Sequence, residues 1–510
     1  MVSFIARRVL VSILILIAAS FIMYVLAASA GNPLQDLQGS NSPNRQALIE
    51  ARIHSQHLDI VPPLRWAIWL GGVAKCIVPI AGGCDLGTTF QNQAVADLLP
   101  QAMGSTLQLV TTAFVLAIVL GIGLGIVTAL RVYSGFDYVV TLISFFLFSL
   151  PSFLVAVLLK SFIAIGYNDF LSKPAIPPLT LVIIGVVVGA ILQLLVGGTW
   201  KRRLVVFFGS GIATTLILLL MGAIGWFTRP SLGPVVVIIL TAAIGFAVVA
   251  ILAGLKNRRA WIAAGINVVV AIGAYFGLQW LFNISSFGTL VFLAIVTLVI
   301  GLVSGAIVGG HDRGLMVRIG AITAVLTGGV VLLDRFMQSW FSYTDAIGGR
   351  PIATVGSQTP SLGGDVWISG LDSFTHLLLP TITLLLISFA SYTRYSRSGM
   401  LDVLNQDYVR TARAKGLPER TVIVRHAFRN MLIPLATLVA TDIGALLGGA
   451  IITESVFAIS GMGALFNAGL SRTDVNPVMG YFLVIAITAI TFNFLADLAY
   501  AALDPRVRVR

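Results

Sequence analysis

The sequence predicts an all-α polytopic membrane protein with about twelve crossings and both termini cytoplasmic. Composition, charge-free runs and a one-sided distribution of basic residues predict it. Hydrophobic residues make up 57% of the 510 and charged residues only 10%, against about 25% charged in soluble domains. Mean hydropathy is +0.98, and several charge-free runs reach the roughly 20 residues that span a bilayer. The net charge of +12 invites a nucleic-acid reading. In a membrane protein, however, excess Lys and Arg keep cytoplasmic loops basic, so no nucleic-acid partner is expected.

Arg7 and Arg8 precede a charge-free run from Val9 to Ala30. Its end, Ala28, Ser29, Ala30, imitates a signal-peptidase site, but the run exceeds the roughly 7 to 15 residues of a signal core, so a retained first helix over 1–30 is expected, with cleavage as the rival. Further spans are read at 102–130, 138–159, 176–200, 204–228, 231–255, 260–282, 287–310, 317–333, 375–393, 431–453 and 475–496. The run 260–310 carries no charge and is too long for one crossing; Asn283, Ser285 and Ser286 break it into a hairpin. The shortest span, 317–333, is squeezed between Arg318 and Asp334. With a cytoplasmic N-terminus, 22 of the 32 Lys and Arg fall on the cytoplasmic side, and losing or adding one span would destroy the pattern. The extracytoplasmic segments are then 31–101 and 336–374, and the loop 394–430 is cytoplasmic.

Three similar stretches, "GGTWKRRLVVFFGSGIA", "LAGLKNRRAWIAAGINV" and "VGGHDRGLMVRIGAITA", place Lys201, Lys256 and His311 at equal 55-residue intervals. Either 171–335 is a block of three helical hairpins in series, or basic turns obey topology and the spacing is coincidence. In both cases Leu171 to Gly310 holds no acid and no His, which suits it poorly to an ion or proton relay.

No catalytic motif is present. Gly is never followed by Lys, so there is no phosphate-binding G-x-x-x-x-G-K-[ST], and no H-E-x-x-H occurs. His54 and His57 share a helix face, but they read as surface histidines before they read as metal ligands. Cys76 and Cys84, separated by "IVPIAGG", lie in the 31–101 segment; in an oxidising compartment they form a disulfide, or else stay two free thiols.

The densest charge lies in "DYVRTARAKGLPERTVIVRHAFRNMLIPL", from Asp407. Asp407 to Lys415 favours a short helix, Gly416 supplies its C-cap, Pro418 follows where helices have stopped, and a second helix runs from Glu419 toward Pro434. A topogenic loop touching anionic headgroups needs no such detail. Tyr408, Ala412 and Gly416 point instead to a protein partner.

This stretch resembles the cytoplasmic coupling loop of ABC importer permease subunits in the dipeptide and oligopeptide branch. That family writes E-A-A-x-x-x-G followed by I-x-L-P; the matching positions are Arg410, Thr411, Ala412 and Gly416, then Met431, Ile433 and Pro434. The leading Glu is absent, and the distance from Gly416 to Pro434 is longer than in the general pattern. "FIARRVLVSILI", "GNPL", "CDLGTTF", "SLPSFLVAVLL", "HLLLPTITL", "GALLGGAIITESVFAISGMGALFNAGLSRTDVNPVMG" and "ADLAYAALDPRVRVR" agree as well. The resemblance covers about 1–170 and 336–510.

It implies a six-helix type I permease core, with helices two and three in 102–170, helices four to six in 375–510, and about six inserted crossings in 171–335. It also implies a second permease, two cytoplasmic ATPases carrying ATP and Mg, an extracytoplasmic solute-binding protein, and no cofactor or catalysis in this chain. Asp407, Tyr408, Arg410, Thr411, Ala412, Arg413, Lys415 and Gly416 would form the ATPase-coupling element, with Ala412 allowing close approach. The insertion braces the core against lipid or a partner, or else forms a docking site or a wider path. Of the acids in or near spans, Asp442 is a pathway candidate or a hydrogen-bonded packing residue, Glu454 a cap or gate at the outer end, and Asp497 a helix-end or inter-subunit contact. Peptides are the expected cargo; haem, a nickel chelate or glutathione are alternatives, as is an ion-coupled secondary transporter using Asp442.

Overall fold

The computed structural model describes residues 2–39, 41, 43–77 and 83–503, and apart from one isolated bridge between Thr88 and Ala94 every regular element among them is helical. Eleven of these helices are long and apolar enough to cross a membrane, or up to thirteen if each of two sharply bent pairs is one crossing.

The chain opens with α1 (Val2–Ser29), three short helices α2 (Gln35–Gln38), α3 (Arg45–Ser55) and α4 (Pro62–Ile77), then α5 (Val95–Leu130) and α6 (Gly135–Ser149). Next come α7 (Ser152–Leu158), a π-helical turn Leu159–Ile165 and α8 (Gly166–Ser172) as one rod. The middle holds α9 (Pro178–Val196), α10 (Trp200–Ala223), α11 (Gly233–Leu252), α12 (Arg258–Gly277), α13 (Gln279–Asn283), α14 (Phe287–Val308) and α15 (Arg313–Ala346). After it run α16 (Val366–Leu404), α17 (Asp407–Ala414), α18 (Glu419–Thr421), a second π-helical turn Val422–Phe428, α19 (Arg429–Gly449), α20 (Ile451–Phe457), α21 (Met462–Arg472) and α22 (Val475–Leu503).

Two long helices form the spine. α5 and α16 run parallel in closest contact: a Cβ on Gly121 would lie 2.6 Å from the Cβ of Tyr392, and one on Gly125 2.6 Å from that of Ser396. Such approach is available only to glycine, and it lets dispersion act between backbones where apolar lipid offers no hydrophobic drive. α19 and α22 pack together beside this spine, and α1 lies on α22. Leu109, Leu379, Phe457 and Ile459 fill the layer near the helix starts, whereas Tyr392, Met400, Ala427 and Met431 fill the one near the basic loop.

The residues between α8 and α16 pair as α9 with α10, α11 with α12 and α14 with α15, and Ser286 caps α14 where the charge-free run was expected to break. α9, paired with α10, sits against α6, while the other four helices form their own bundle. Its joints are polar: Asn267 Nδ2 donates to Ser304 Oγ at 2.8 Å, and fully buried Asp334 accepts from the Leu232 N–H at 2.6 Å and from Gln338 Nε2 at 2.6 Å. Arg335 lies over the Trp367 ring and donates to Asn283, and Trp367 Nε1 donates to the Phe282 carbonyl at 2.7 Å, fastening this bundle to α16.

Several expected boundaries move. The span read at 138–159 is broken at Leu150, because the residue before Pro151 is forced into extended backbone (ψ 129°). α15 does not stop at Asp334. It runs through the expected 335/336 boundary to Ala346, since a charge partnered by the start of α11 and by its own next turn ends an apolar run without ending a helix. α5 and α16 likewise begin at Val95 and Val366, before 102 and 375. Cys76 and Cys84 are joined as a disulfide.

Because the α11 N–H groups turn to Asp334, replacing it with Leu leaves them unpaired at a cost of about 1–3 kcal/mol per buried group. Asp334→Leu is expected to lower the thermal midpoint of the detergent-purified protein by several degrees; an exposed-face change, Val269→Ala, is expected to leave it unchanged.

Candidate functional site

The basic loop is an ordered helix-turn-helix. α17 carries two buried side chains, Val409 and Ala412, which pack with Val422 of the π-helical turn and with Val403 and Leu404 at the end of α16. Burying Val409 and Val422 contributes about 1.5–3 kcal/mol each, a substantial hold on an eight-residue helix that could not persist alone. The turn after α17 is a Schellman motif: Gly416 N–H donates to the Arg413 carbonyl (2.9 Å) and Leu417 N–H to the Ala412 carbonyl (3.4 Å). Gly416 sits at φ +73°, where a Cβ is penalised by about 1–2 kcal/mol. Arg413 then closes the turn with a forked pair to Glu419 (2.7 and 3.2 Å), which holds the exposed Glu419 carboxyl below its ordinary range.

This geometry sorts the predicted coupling residues. Asp407, Tyr408, Arg410, Thr411, Arg413 and Lys415 are exposed and form a continuous outward surface. Ala412 faces the other way. At 5% exposure its small size serves packing inside the loop, which corrects the expectation that it allows a partner close.

The acids fall differently. Asp442 accepts a hydrogen bond from the Tyr392 hydroxyl (2.9 Å), tying α19 to α16. Glu454 is fully buried: Oε1 accepts from the Thr106 hydroxyl (2.6 Å), and Oε2 accepts from the N–H groups of Gly463 (2.7 Å) and Ala464 (3.1 Å). Thr106 in turn accepts from Met462 N–H (2.8 Å). One carboxylate thus caps α21 across the 88° bend from α20 and anchors it to α5. The side chain of Asp497 lies outside the described residues. Sequence reading missed Thr106, whose only signal is a hydroxyl in an apolar run. It also missed Arg397, which forks onto Asp137 (2.8 and 3.0 Å) and pins α6 to α16 just above the basic loop.

The family model for the "binding-protein-dependent transport system inner membrane component" matches residues 336–509, which include the whole of the basic loop. The oligopeptide transport system permease protein OppB of Mycobacterium tuberculosis is 36% identical over 224 residues, 42% of this chain and 69% of that protein. The dipeptide transport system permease protein DppB of Escherichia coli K12 is 44% identical over 138 residues, 27% of this chain and 41% of that protein. A putative peptide permease protein of Brucella ovis is 49% identical over 138 residues, 27% of this chain and 43% of that protein. The chain belongs to this family of inner-membrane transport components. It is a multi-pass inner-membrane permease of the ABC importer class.

At the permease's other end, a cavity of about 570 Å³ opens between the 31–101 segment and the tip of α21, lined by Asn32, Gln35, Asp36, Arg52, Phe90 and Arg472 among others. Arg52 pairs with Asp36, holding that carboxyl below its usual range, and lies 4.3 Å over the Phe90 ring. Phe90 N–H donates to Asp474 (2.8 Å). Burial pushes the Asp474 carboxyl up to about 6, against the opposing pull of that N–H and of Arg52.

Gly416→Val strains the turn by about 1–2 kcal/mol and is expected to speed tryptic cleavage at Arg413, Lys415 and Arg420 and to reduce uptake, whereas Gly416→Asn retains most of both. For Asp474 the folded state binds its proton more tightly than the unfolded chain, so its contribution to stability is full below about pH 4 and is lost as pH rises through about 6. The 31–101 segment should therefore resist proteolysis better at pH 5 than at pH 7, and Asp474→Asn should remove the difference.

Proposed function

We propose that this chain is one transmembrane subunit of an ATP-driven importer of short peptides. In this reading the basic loop faces the cytoplasm, a second permease completes the passage, two ATPase subunits bind ATP and Mg, and an extracytoplasmic binding protein delivers cargo. The observation that carries it is the construction of α17. Its apolar face is locked to both the end of α16 and the π-helical turn that leads into α19, while its polar face, from Asp407 to Lys415, is left outward. A helix held this way transmits a push. When the ATPases close on nucleotide, displacement of α17 passes through Val409, Ala412 and Val422 into two long helices at once, and access alternates.

The peptide reading is supported by relatives named as oligopeptide and dipeptide permeases. Asp442, the residue an ion-coupled transporter would need, is engaged by the Tyr392 hydroxyl.

Reconstitution with the partner subunits is expected to give labelled-peptide uptake that stops without ATP and survives a protonophore, and Tyr408→Cys is expected to cross-link to an ATPase subunit. Uptake by the isolated chain, or uptake abolished by the protonophore while ATP remains, would refute the proposal.

A further inference from the structure

The short helix α20 ends with two carbonyls that its own chain does not satisfy. In the bend that follows, the Glu454 carbonyl accepts from the N–H groups of Ala458 and Ile459, and the Ser455 carbonyl accepts from Ala458. The carbonyls of Val456 and Phe457 are met from elsewhere. Lys160 Nζ donates to the first at 2.8 Å, and the Gly356 N–H donates to the second at 2.8 Å. Lys160 stands in the π-helical turn of the rod that α7 and α8 form, and Gly356 stands in the strap 347–365 between α15 and α16. The strap is fastened to the same rod, since Asn168 donates to the Ile352 carbonyl (2.8 Å) and accepts from the Ile352 N–H (3.0 Å). Rod, strap and the end of α20 therefore close a triangle of contacts.

Lys160 is an ammonium within the membrane-spanning segment Ser152–Ser172. Its one hydrogen-bond partner among the described residues is the Val456 carbonyl, and it lies 6.0 Å over the Phe457 ring. A neutral donor would satisfy a carbonyl too. A charge in a bilayer is costlier, and it is retained where it faces a bundle interior or water.

The bend is held on two sides, and the two are unequal. On one side Glu454 ties α20 to α21 and α5, and parting them strips a fully buried carboxylate of three donors. On the other side Lys160 and Gly356 tie α20 to the rod and the strap, and both donors are half-buried, so water at the outer end can replace the carbonyls they lose. The seam between α20 and the rod is the weaker of the two.

We propose that this seam is where the extracytoplasmic end of the passage opens, and that Lys160 is the positioning residue that keeps it shut by holding the Val456 carbonyl. The inference rests on the importer reading above. Opening then moves α20, α21 and α5 together away from the rod, while the strap stays on the rod through Asn168. Lys160 passes from carbonyl to water, a change that a long, flexible ammonium makes without being left unpaired in lipid.

The test uses the assembled transporter in proteoliposomes. Ala156 is fully buried on the rod, in the same apolar cluster as Phe457, so a cysteine there reports on the seam. The native cysteines are bonded to each other and leave a silent background. Without nucleotide, the Ala156→Cys parent is expected to be nearly inert to a charged, membrane-impermeant methanethiosulfonate. Adding Lys160→Met is expected to speed labelling about ten- to a hundredfold, the worth of one hydrogen bond to a charged group. Adding Lys160→Arg, which keeps charge and donor, is expected to leave the parent's slow rate. Closing the ATPases on nucleotide is expected to open the seam in the parent and to add little in Lys160→Met. Ala263→Cys, fully buried in the inserted bundle, is expected to stay silent throughout. A Lys160→Met variant that labels no faster than the parent would overturn the proposal. So would an equal rise at positions 156 and 263, the mark of general loosening, or a parent that takes up peptide on ATP while position 156 stays silent. If instead nucleotide drives neither uptake nor labelling in the parent but Lys160→Met still opens position 156, the latch is supported and the importer reading fails, so the two failures are distinguishable.

Discussion

The close approach of α5 to α16 is the contact on which the remaining architecture depends. Gly121 and Gly125 let two long helices meet at backbone distance although nearly the whole middle of the chain separates them in sequence. Because that contact is made directly, the helices from α9 to α15 cannot lie between them; they are held to one side by Asp334, Arg335 and Trp367. A large apolar block is thereby added without disturbing the spine. The same contact sets the position of everything attached to the spine's ends: Thr106 at one end of α5, and the run from Arg397 to Leu404 at the other end of α16.

Both ends share a design in which one polar group organises a bend. Near the starts of α5 and α16, Glu454 directs its carboxylate to Thr106 and to two N–H groups of α21, so a sharp reversal is built from donors that a helix start leaves free anyway. At the basic end the reversal is made by Gly416, and Arg413 with Glu419 clamps it. The π-helical turn that follows places Val422 under α17, so the short helix is fixed by three apolar side chains and leaves its charges outward. Rigid attachment with an outward polar face is the mechanical requirement for passing motion from one subunit to another.

Much of the fold was legible in the sequence because transfer free energy acts on composition directly. A run of about 20 apolar residues has one low-energy place to go, and Ser286, Gly416 and Pro418 carry their turn chemistry with them. The errors share one cause. Hydropathy marks where a helix is apolar, not where it ends, so α5, α15 and α16 extend beyond their apolar runs, and Asp334 and Arg318 lie within a single helix. The opposite error, a break missed at Leu150, came from weighting an unbroken apolar run above the restraint imposed by Pro151. Ala412 was expected to face a partner and instead faces the inside of the loop, since composition shows that a position is small and not which surface needs it so.

By itself the sequence determined the membrane habit of this protein, the hairpin turns, the basic loop and the family resemblance, because those follow from local hydrophobicity, local turn geometry and a contiguous motif. Only the tertiary structure decided that Glu454 answers Thr106 and that Asp442 answers Tyr392. Each depends on two or more helices brought together from distant parts of the chain, and the energy of a buried hydrogen bond is defined only when that neighbour is in place.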